Sequence, residues 1–217
     1  MAGVSVIICV RDGEAYLRDA LDSVAAQDVA DLETIVIDDG SVDRSAAIAR
    51  ANRVGARVVS RPASGQPASL NAGLELAGKD FIALLDSDDV WPQGRLANML
   101  RMFDSDPDNE MVYGQMVNTN DALEPIQAPL ATRLLPCSLV RRAVFARVGR
   151  FRTDVQHATS VDWMIRAATM KIRMAPLESV VLLRRVHSSN FSVRDVSCAR
   201  QDLLRIVREH RERSKNA

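Results

Sequence analysis

Short apolar runs alternate with helical stretches through the N-terminal half of the chain, and this rhythm restricts the fold more than any other feature. The stretches between the runs have the amphipathic pattern and the turn residues of helices. Such alternation predicts a parallel, doubly wound sheet with right-handed crossovers, so the fold class is α/β and Rossmann-like with a mostly parallel central sheet. The predicted strands are Val4–Val10, Thr34–Ile37, Ala56–Ser60 and Phe81–Leu85, and the predicted helices are Gly13–Ala26 with Asp12 as N-cap, Asp43–Asn52 and Ser69–Ala77.

The rhythm changes after Asp89. The segment Thr119–Pro136 carries three prolines and no clear period, which predicts a long loop acting as a lid or mobile segment. No internal repeat and no second independent core is visible, so we predict one domain. The remaining predicted elements are a helix from Pro92 to about Phe103, a strand Met111–Val117, helices Arg141–Val148 and Val161–Met170, a strand Val180–Val186 and a C-terminal helix Val193–Arg211.

Carboxylates follow two of the predicted strands. Asp38 and Asp39 follow the second strand, and Asp86, Asp88 and Asp89 follow the fourth. One such strand end is often only a turn cap, but parallel strands bring both ends to the same edge of the sheet, where ligands bind in open α/β folds. Carboxylates this close repel one another unless a cation lies among them. The pattern favours Mg²⁺ or Mn²⁺ shared with a phosphorylated ligand.

Composition excludes several other classes of protein. Lys plus Arg and Asp plus Glu each number 28, so the net charge of +0 gives no overall field for nucleic acid. The three cysteines form no CxxC pair, which is typical of a reducing compartment without zinc or disulfides. No stretch approaches the roughly 18 apolar residues of a membrane span. We therefore expect a cytoplasmic protein, with peripheral membrane contact left open.

Several motifs, in this order along the chain, resemble those of the family 2 glycosyltransferases, which have the GT-A fold. The resemblance covers residue 3 to about residue 192. The pieces are Val4–Val10, Asp38-Asp39-Gly40-Ser41, Asn71-Ala72-Gly73, Leu85-Asp86-Ser87-Asp88-Asp89, Ser138–Arg142 with Val148–Phe151, Asp162-Trp163, and Arg185-Val186-His187 with Asn190. It implies a single GT-A domain with a nucleotide-sugar-binding half (1–118), a smaller acceptor-binding half (119–192) and a C-terminal helix (193–217).

The resemblance also assigns roles at the two acidic strand ends. Asp88 would coordinate the divalent cation that bridges the diphosphate. Asp86 would contact the ribose or the water shell of the metal, with Ser87 beside it. Asp39 would accept a hydrogen bond from the nucleobase, most simply from N3–H of uracil or thymine. His187 is a candidate further metal ligand, although a histidine in an exposed loop is the simpler interpretation.

Further nucleotide contacts are expected at the exit of the first strand, after the third strand and at the two late arginines. Val10, Arg11 and Asp12 open the exit of the first strand and should line the base pocket, although the family often carries Tyr-Asn where Arg11-Asp12 stand. Arg61 and the Ser64–Ser69 loop are within reach of the nucleotide. Arg185 and its neighbour Arg184 are candidates for phosphate because a guanidinium offers a bidentate fork. Charges at a solvated strand edge are the alternative for both arginines.

Asp162 is the candidate general base that deprotonates the acceptor in an inverting transfer. The family frequently has Glu-Asp at this point, where this chain has Val161-Asp162. A carboxylate in the first turn of a helix also complements the helix dipole, so a purely structural aspartate is the alternative interpretation.

The predicted function is transfer of a sugar from a nucleotide-diphosphate donor to an acceptor. The expected donor is a UDP-sugar, with a dTDP-sugar second. The acceptor, whether saccharide, lipid-linked, peptide or small molecule, is not encoded in any motif. Three alternatives stay open: a haloacid-dehalogenase-like phosphatase using Asp86 and Asp88, a sugar nucleotidyltransferase, and a non-catalytic nucleotide-sugar binder.

Overall fold

The computed structural model describes residues 2–188, 190 and 195–215, with the side chains of 213–215 left out. Strands and helices alternate up to β5, as the sequence predicts. The strands are β1 (Val4–Val10), β2 (Leu32–Asp38), β3 (Arg57–Ser60), β4 (Phe81–Asp86), β5 (Met111–Thr119), β6 (Leu130–Ala131), β7 (Ser138–Arg141) and β8 (Met174–Arg185). The helices are α1 (Leu17–Ala25), α2 (Ser45–Ala51), α3 (Gln66–Leu76), α4 (Arg95–Ser105), α5 (Arg142–Val148), α6 (Thr159–Thr169) and α7 (Val196–Lys215), and a 3₁₀ turn covers Leu135–Cys137.

The strands form one eight-stranded sheet in the order β3-β2-β1-β4-β7-β5-β6, with β8 paired to β5. Strands β1 to β4 are parallel, and β8 runs parallel to β5. Strands β6 and β7 run against their neighbours. The sheet is therefore mixed but mostly parallel, and the carboxyl ends of β1, β2 and β4 lie at one edge, which confirms the predicted placement of the two acidic strand ends.

Two apolar cores cover the two faces of this sheet. Alternate residues of β1 divide between them, with Val6 and Ile8 in one core and Ile7 in the other. Helix α3 lies unusually close to the sheet, because a Cβ atom at Gly73 would come within 2.4 Å of Ile7 Cγ2. Glycine at position 73 therefore fixes the distance of α3 from β1 and, through α3, the position of the loop that precedes the helix.

Some element boundaries differ from the prediction for local reasons. Asp12 does not cap α1, because its Oδ1 accepts a hydrogen bond from the backbone N–H of Val42 and the helix begins only at Leu17. Helix α3 begins at Gln66, three residues early, with Pro67 in its first turn, where a missing N–H costs nothing. Strand β8 begins at Met174, and register shifts against β5 accompany the proline at position 176.

The second half is more ordered than its sequence predicts. Within Thr119–Pro136, Leu130 and Ala131 pair with β5, and Thr119 forms a bridge with Pro125. The C-terminal helix is present as α7, although the predicted start at Val193 lies outside the described residues. None of the helices in the described part of the chain is long and apolar enough to cross a membrane.

Candidate active site

The predicted metal ligands meet at the carboxyl end of β4. Nε2 of His187 lies 3.1 Å from Oδ2 of Asp88, and the side-chain amide of Asn190 donates to the same Oδ2 at 2.9 Å. The ring of Tyr16 packs on the imidazole with the centroids 4.6 Å apart. His187 follows β8 and Asp88 follows β4, so the two strands bring together residues that are 99 positions apart.

The same strand end carries a second carboxylate whose charge is only partly compensated. Burial, together with the charge of Asp88, raises the pKa of Asp86 to about 6. The side-chain amide of Gln66 donates to Asp86 at 3.1 Å, and the charge of Arg184 acts in the opposite direction to burial. Burial and the charges of Asp86 and Asp88 likewise raise the pKa of Asp89 well above its ordinary value. The strand end concentrates negative charge that a cation would neutralise.

Arg185 lies in the protein interior, where it does not match the expectation of a phosphate contact. Its guanidinium is 3% exposed. Nε donates to the carbonyl of Asp88, Nη1 to the carbonyl of Asp121 and Nη2 to the carboxylate of Asp19. The guanidinium also lies 4.6 Å over the ring of Tyr16. Each of its nitrogens is thus bound to protein. Through the hydrogen bond to the carbonyl of Asp88, Arg185 fixes the backbone of the loop that follows β4.

Asp39 is buried and organises the loop between β3 and α3. Its carboxylate accepts hydrogen bonds from the backbone and hydroxyl of Ser64, from the backbone of Gly65 and from the hydroxyl of Ser69, all at 2.9–3.0 Å. Arg61 lies in the same loop and donates from Nη1 to the carbonyl of Ala68. Arg61 also borders a surface depression of about 200 Å³ beside α3. The predicted base contact at Asp39 is therefore also the anchor of the 61–69 loop.

The remaining predicted nucleotide contacts surround the exit of β1. The side chain of Val10 is in the core, and its carbonyl accepts from the backbone N–H of Asp39 at 2.8 Å. Asp12 is exposed, has φ 51°, and is tied to the Ser41 loop by hydrogen bonds in both directions. Ser87 approaches this exit, because its Oγ would lie 3.3 Å from a Cβ at Gly13. These residues join the ends of β1, β2 and β4 into one rim.

Asp162 lies in the first turn of α6 and is buried between two arginines. Nε of Arg166 donates to Oδ2 at 2.9 Å, and Nη1 of Arg152 lies 3.5 Å from Oδ1. Arg166 also donates to the carbonyls of Val148 and Arg150. The helix begins at Thr159, and its N-cap position is Ala158, without a side-chain cap.

The segment from Arg152 to His157 connects Asp162 with the donor-side loop and with α7. Gln156 packs directly on Gly65, where a Cβ would lie 2.3 Å from Oε1 of Gln156. From α7, Asp202 accepts from the backbone N–H of Gln156 and of His157, both at 2.9 Å. Glu209 accepts from Arg152 at 2.5 and 3.3 Å. The C-terminal helix thus supports both the loop anchored by Asp39 and the surroundings of Asp162.

The residues present fit a divalent cation that takes most of its ligands from elsewhere. Within the described residues, no group of three or more His, Cys, Asp or Glu side chains is placed to hold a metal ion. The 3.1 Å between Asp88 Oδ2 and His187 Nε2 is close to the separation of roughly 3.0 Å expected for adjacent ligands at about 2.1 Å from an octahedral ion. Mg²⁺ sites often combine one or two protein ligands with substrate phosphates and water.

Comparison with known proteins decides the family. A model described as Glycosyl transferase family 2 matches residues 5–171, well over half of the chain. The chain belongs to this family. The succinoglycan biosynthesis protein ExoW of Rhizobium meliloti is 39% identical over 116 residues, covering 49% of this chain and 36% of ExoW. A PGL/p-HBAD biosynthesis glycosyltransferase of Mycobacterium bovis is 27% identical over 169 residues, covering 73% of this chain and 66% of the relative.

The chain is shorter than most of these relatives. It spans 38% of an uncharacterized glycosyltransferase of Nostoc sp. that is 33% identical over 123 residues, or 54% of this chain. Solved structures establish the GT-A fold. Residues 1–349 of S. aureus TarS in complex with UDP superpose with a TM-score of 0.77 at 18% identity, covering 96% of this chain and 64% of TarS. The Pyrobaculum calidifontis mannosyltransferase PcManGT, solved with GDP-Man and Mn²⁺, gives 0.73 at 20% identity, covering 100% and 65%.

Several side chains shape the site although the sequence analysis gives none of them an individual role, and only Gln66 lies in a predicted site segment, the Ser64–Ser69 loop. Tyr16, Gln66 and Arg152 contact the candidate residues but belong to no motif. Gln66 had a usable signal, since Pro67 indicates that α3 starts before Ser69. Arg152 had none, because its partner Glu209 is 57 positions away on a helix whose docking the sequence does not specify.

Proposed function

We propose that this protein is an inverting glycosyltransferase that transfers a sugar from a nucleotide-diphosphate donor, most simply a UDP-sugar, to a hydroxyl acceptor. One observation carries the proposal. In a family 2 chain, Asp88 and His187 converge at the carboxyl end of β4, beside the half-buried carboxylate of Asp86 and the buried carboxylate of Asp89. Such an edge is the ligand-binding edge of an open α/β sheet. TarS with UDP and UDP-GlcNAc, and PcManGT with GDP-Man, support a nucleotide-sugar donor.

The donor is proposed to bind along the rim formed by β1, β2 and β4. Asp39 and the 61–69 loop would hold the nucleobase, with Val10 and Asp12 at the entrance and Arg61 nearby. Asp86 and Ser87 would contact the ribose. Asp88 and His187 would hold Mn²⁺ or Mg²⁺, and the ion would supply positive charge to the diphosphate leaving group. Arg184, half-buried on the strand face opposite to Arg185, is the cation whose charge acts on Asp86.

Transfer would proceed by direct displacement at the anomeric carbon. Asp162 would take the proton of the acceptor hydroxyl as its oxygen attacks C1, and the bond from C1 to the phosphate oxygen would break with release of the nucleoside diphosphate. Arg166 holds Oδ2 of Asp162 at the shorter distance, so Oδ1, with its longer contact to Arg152, is the oxygen that we propose receives the proton. The segment 119–136 is proposed to close over the acceptor and exclude water.

The closing test of this proposal is a screen of UDP-, dTDP- and GDP-sugars by thermal shift with Mn²⁺, followed by turnover with the stabilising donor. A donor that binds the native state raises the melting temperature by mass action. We expect a shift with a uridine donor that is lost on chelation and in Asp88→Ala. Stabilisation that is equal with and without metal would contradict the assigned metal role.

The alternative functions make different demands. A haloacid-dehalogenase-like phosphatase needs its acidic motif on the first strand, whereas Asp86 and Asp88 follow β4, the fourth strand along the chain. The family match also disfavours it. A non-catalytic binder would be indifferent to Asp162→Asn, whereas an enzyme should lose turnover and keep its donor affinity.

A further inference from the structure

The outer face of α7 combines exposed aliphatic side chains with arginines. Val196, Leu203, Leu204 and Val207 are 61%, 39%, 56% and 43% exposed. With 3.6 residues per turn, these four positions fall within an arc of roughly 100° on the helix. The inner face of the same helix is already occupied, because Ile206 is buried against Val155 and Ala158. The exposed side chains therefore form a second apolar stripe that faces away from the domain.

The charged side chains of α7 are unevenly distributed around the helix. Arg200, Arg208 and Arg211 are exposed, and they lie within or directly beside the apolar arc. The carboxylates of Asp202 and Glu209 point inward, where they bind the segment from Arg152 to His157. The apolar arc is therefore flanked by arginines. On the side that faces the protein, Arg205 pairs with Asp154, and Glu212 is exposed but lies outside the apolar arc.

We propose that α7 is a membrane-docking helix that lies in the plane of an anionic lipid surface, with its apolar stripe among the acyl chains and its arginines at the headgroups. An amphipathic helix with arginines beside its apolar face binds in this way, and no helix in the described part of the chain could cross the bilayer instead. The juxtaposition of the four aliphatic residues with Arg200 and Arg211 carries the proposal.

The size of the stripe argues against a second copy of the chain as the partner. From Val196 to Val207 the helix rises by roughly 16 Å, and a strip about 10 Å wide covers roughly 160 Å². A stable protein interface buries about 800 Å² on each partner. A lipid surface needs no such area, because the arginines add electrostatic attraction to each inserted side chain.

The docking would leave the rest of the domain undisturbed. The inner face of α7 keeps Asp202 and Glu209 on the segment beside Asp162, so the helix connects the lipid surface to the candidate active site. The candidate active site would then lie at a fixed distance from the headgroups, where it could reach an acceptor that is anchored in the membrane. The position of α7 on the membrane does not depend on the identity of the donor. Membrane binding by α7 can therefore be tested independently of the proposed function.

The test is flotation of the full chain with two sets of vesicles, one of phosphatidylcholine alone and one containing about one third phosphatidylglycerol. We expect binding to the anionic vesicles at about 0.1 M salt, little binding to the neutral ones, and loss of binding at about 1 M salt. Arg200→Gln and Arg211→Gln should each weaken the partition coefficient about fivefold. The double variant Leu204→Glu, Val207→Glu should weaken it tenfold or more, about the factor that burial of one aliphatic side chain contributes.

Met170→Glu is the matched control, since Met170 is a 47% exposed apolar residue at the end of α6. It should bind as the unmodified chain does, and circular dichroism should show all variants folded. The proposal is overturned if the unmodified chain does not float, or if the α7 variants float as well as Met170→Glu. It is also overturned if size-exclusion chromatography shows a dimer that Leu204→Glu, Val207→Glu separates. If the apolar double variant unfolds, vesicle binding by Arg200→Gln and Arg211→Gln still tests the proposal.

Discussion

Arg152 lies 3.5 Å from Asp162 while its other hydrogen bonds go to the C-terminal helix and to Asp154. The guanidinium next to the candidate base Asp162 is therefore shared with two other carboxylates, those of Glu209 and Asp154. Glu209 and Asp154 draw Arg152 away from Asp162, and Arg166 keeps the remaining oxygen fixed. The balance among these charges determines how available Asp162 is to an acceptor hydroxyl.

The first prediction concerns Glu209→Gln. Without the charge of Glu209, Arg152 should pair more closely with Asp162 and make it a weaker base, so we expect kcat to fall about tenfold. Donor affinity should not change, because Glu209 acts through Arg152 on Asp162, on the acceptor side of the site. Turnover assays and titration calorimetry would separate the two effects. Asp108→Asn, which removes an exposed ion pair with Arg173, is the control and should leave both quantities unchanged. A rise in donor KM with unchanged kcat would count against this positioning role.

The second prediction separates two neighbouring arginines. Arg184→Met should raise the KM for the donor about tenfold, the loss expected for one charge-assisted hydrogen bond to phosphate, and should leave the fold intact. Arg185→Met should instead lower the free energy of unfolding by about 3 kcal/mol, because it leaves Asp19 and the carbonyls of Asp88 and Asp121 without their donor. Urea unfolding and donor kinetics on both variants check this. Equal effects of the two substitutions on stability would refute the distinction.

The third prediction concerns Asn71, which pairs with the backbone of Phe151 like a strand neighbour. Its amide donates to the carbonyl of Phe151, and its oxygen accepts from the N–H of Phe151, both at 2.9 Å. Asn71→Ala would leave two buried backbone groups unpaired, so we expect a loss of about 2–3 kcal/mol in the free energy of unfolding. Asn98→Ala, at a half-buried position of α4 whose amide oxygen accepts from the exposed side chain of Arg101, is a control that should cost far less. A loss below about 0.5 kcal/mol for Asn71→Ala would show that water replaces both bonds.

The fourth prediction is a pH dependence. Hydrogen bonding to Arg152 lowers the pKa of Asp154 to about 2 from an ordinary value of 3.8. A carboxyl with a lowered folded-state pKa contributes stability that is fully present above its unfolded pKa and is lost as the pH falls through its folded pKa. The side chain is 57% exposed, so solvent screening limits this contribution to about 1 kcal/mol or less.

The measurement is the difference in melting temperature between the unmodified chain and Asp154→Asn. The difference should be constant from neutral pH down to about pH 4 and should shrink between about pH 4 and pH 2. A difference that grows on acidification over this interval would contradict the assigned sign.

Sequence patterns predict the strand ends well for a physical reason. A buried strand such as β4 needs a continuous apolar run, and the run must stop where the chain meets water, so the position of Asp86 follows directly from Phe81–Leu85. The same reasoning places Asp39 after β2, and the parallel arrangement then brings the two ends together. The pattern also indicates His187, because the predicted strand Val180–Val186 ends directly before it, and the structure ends β8 at Arg185.

The sequence does not predict the interactions between elements that are far apart along the chain. Arg184 and Arg185 alternate across β8, and their residue type does not show which of them faces the interior. The structure buries Arg185 because Asp19, Asp88 and Asp121 offer acceptors there. The contact of Arg152 with Glu209 depends in the same way on how α7 docks. No local pattern specifies that docking.

The central claim is that an ion held by Asp88 and His187 joins a nucleotide-sugar diphosphate to the end of β4. Titration calorimetry of a UDP-sugar into the chain, with Mn²⁺ and with chelator, tests it most directly. We expect saturable binding with Mn²⁺ that chelator abolishes and that Asp88→Ala does not show. Binding of the same heat and affinity in chelator, or in Asp88→Ala, would contradict the claim.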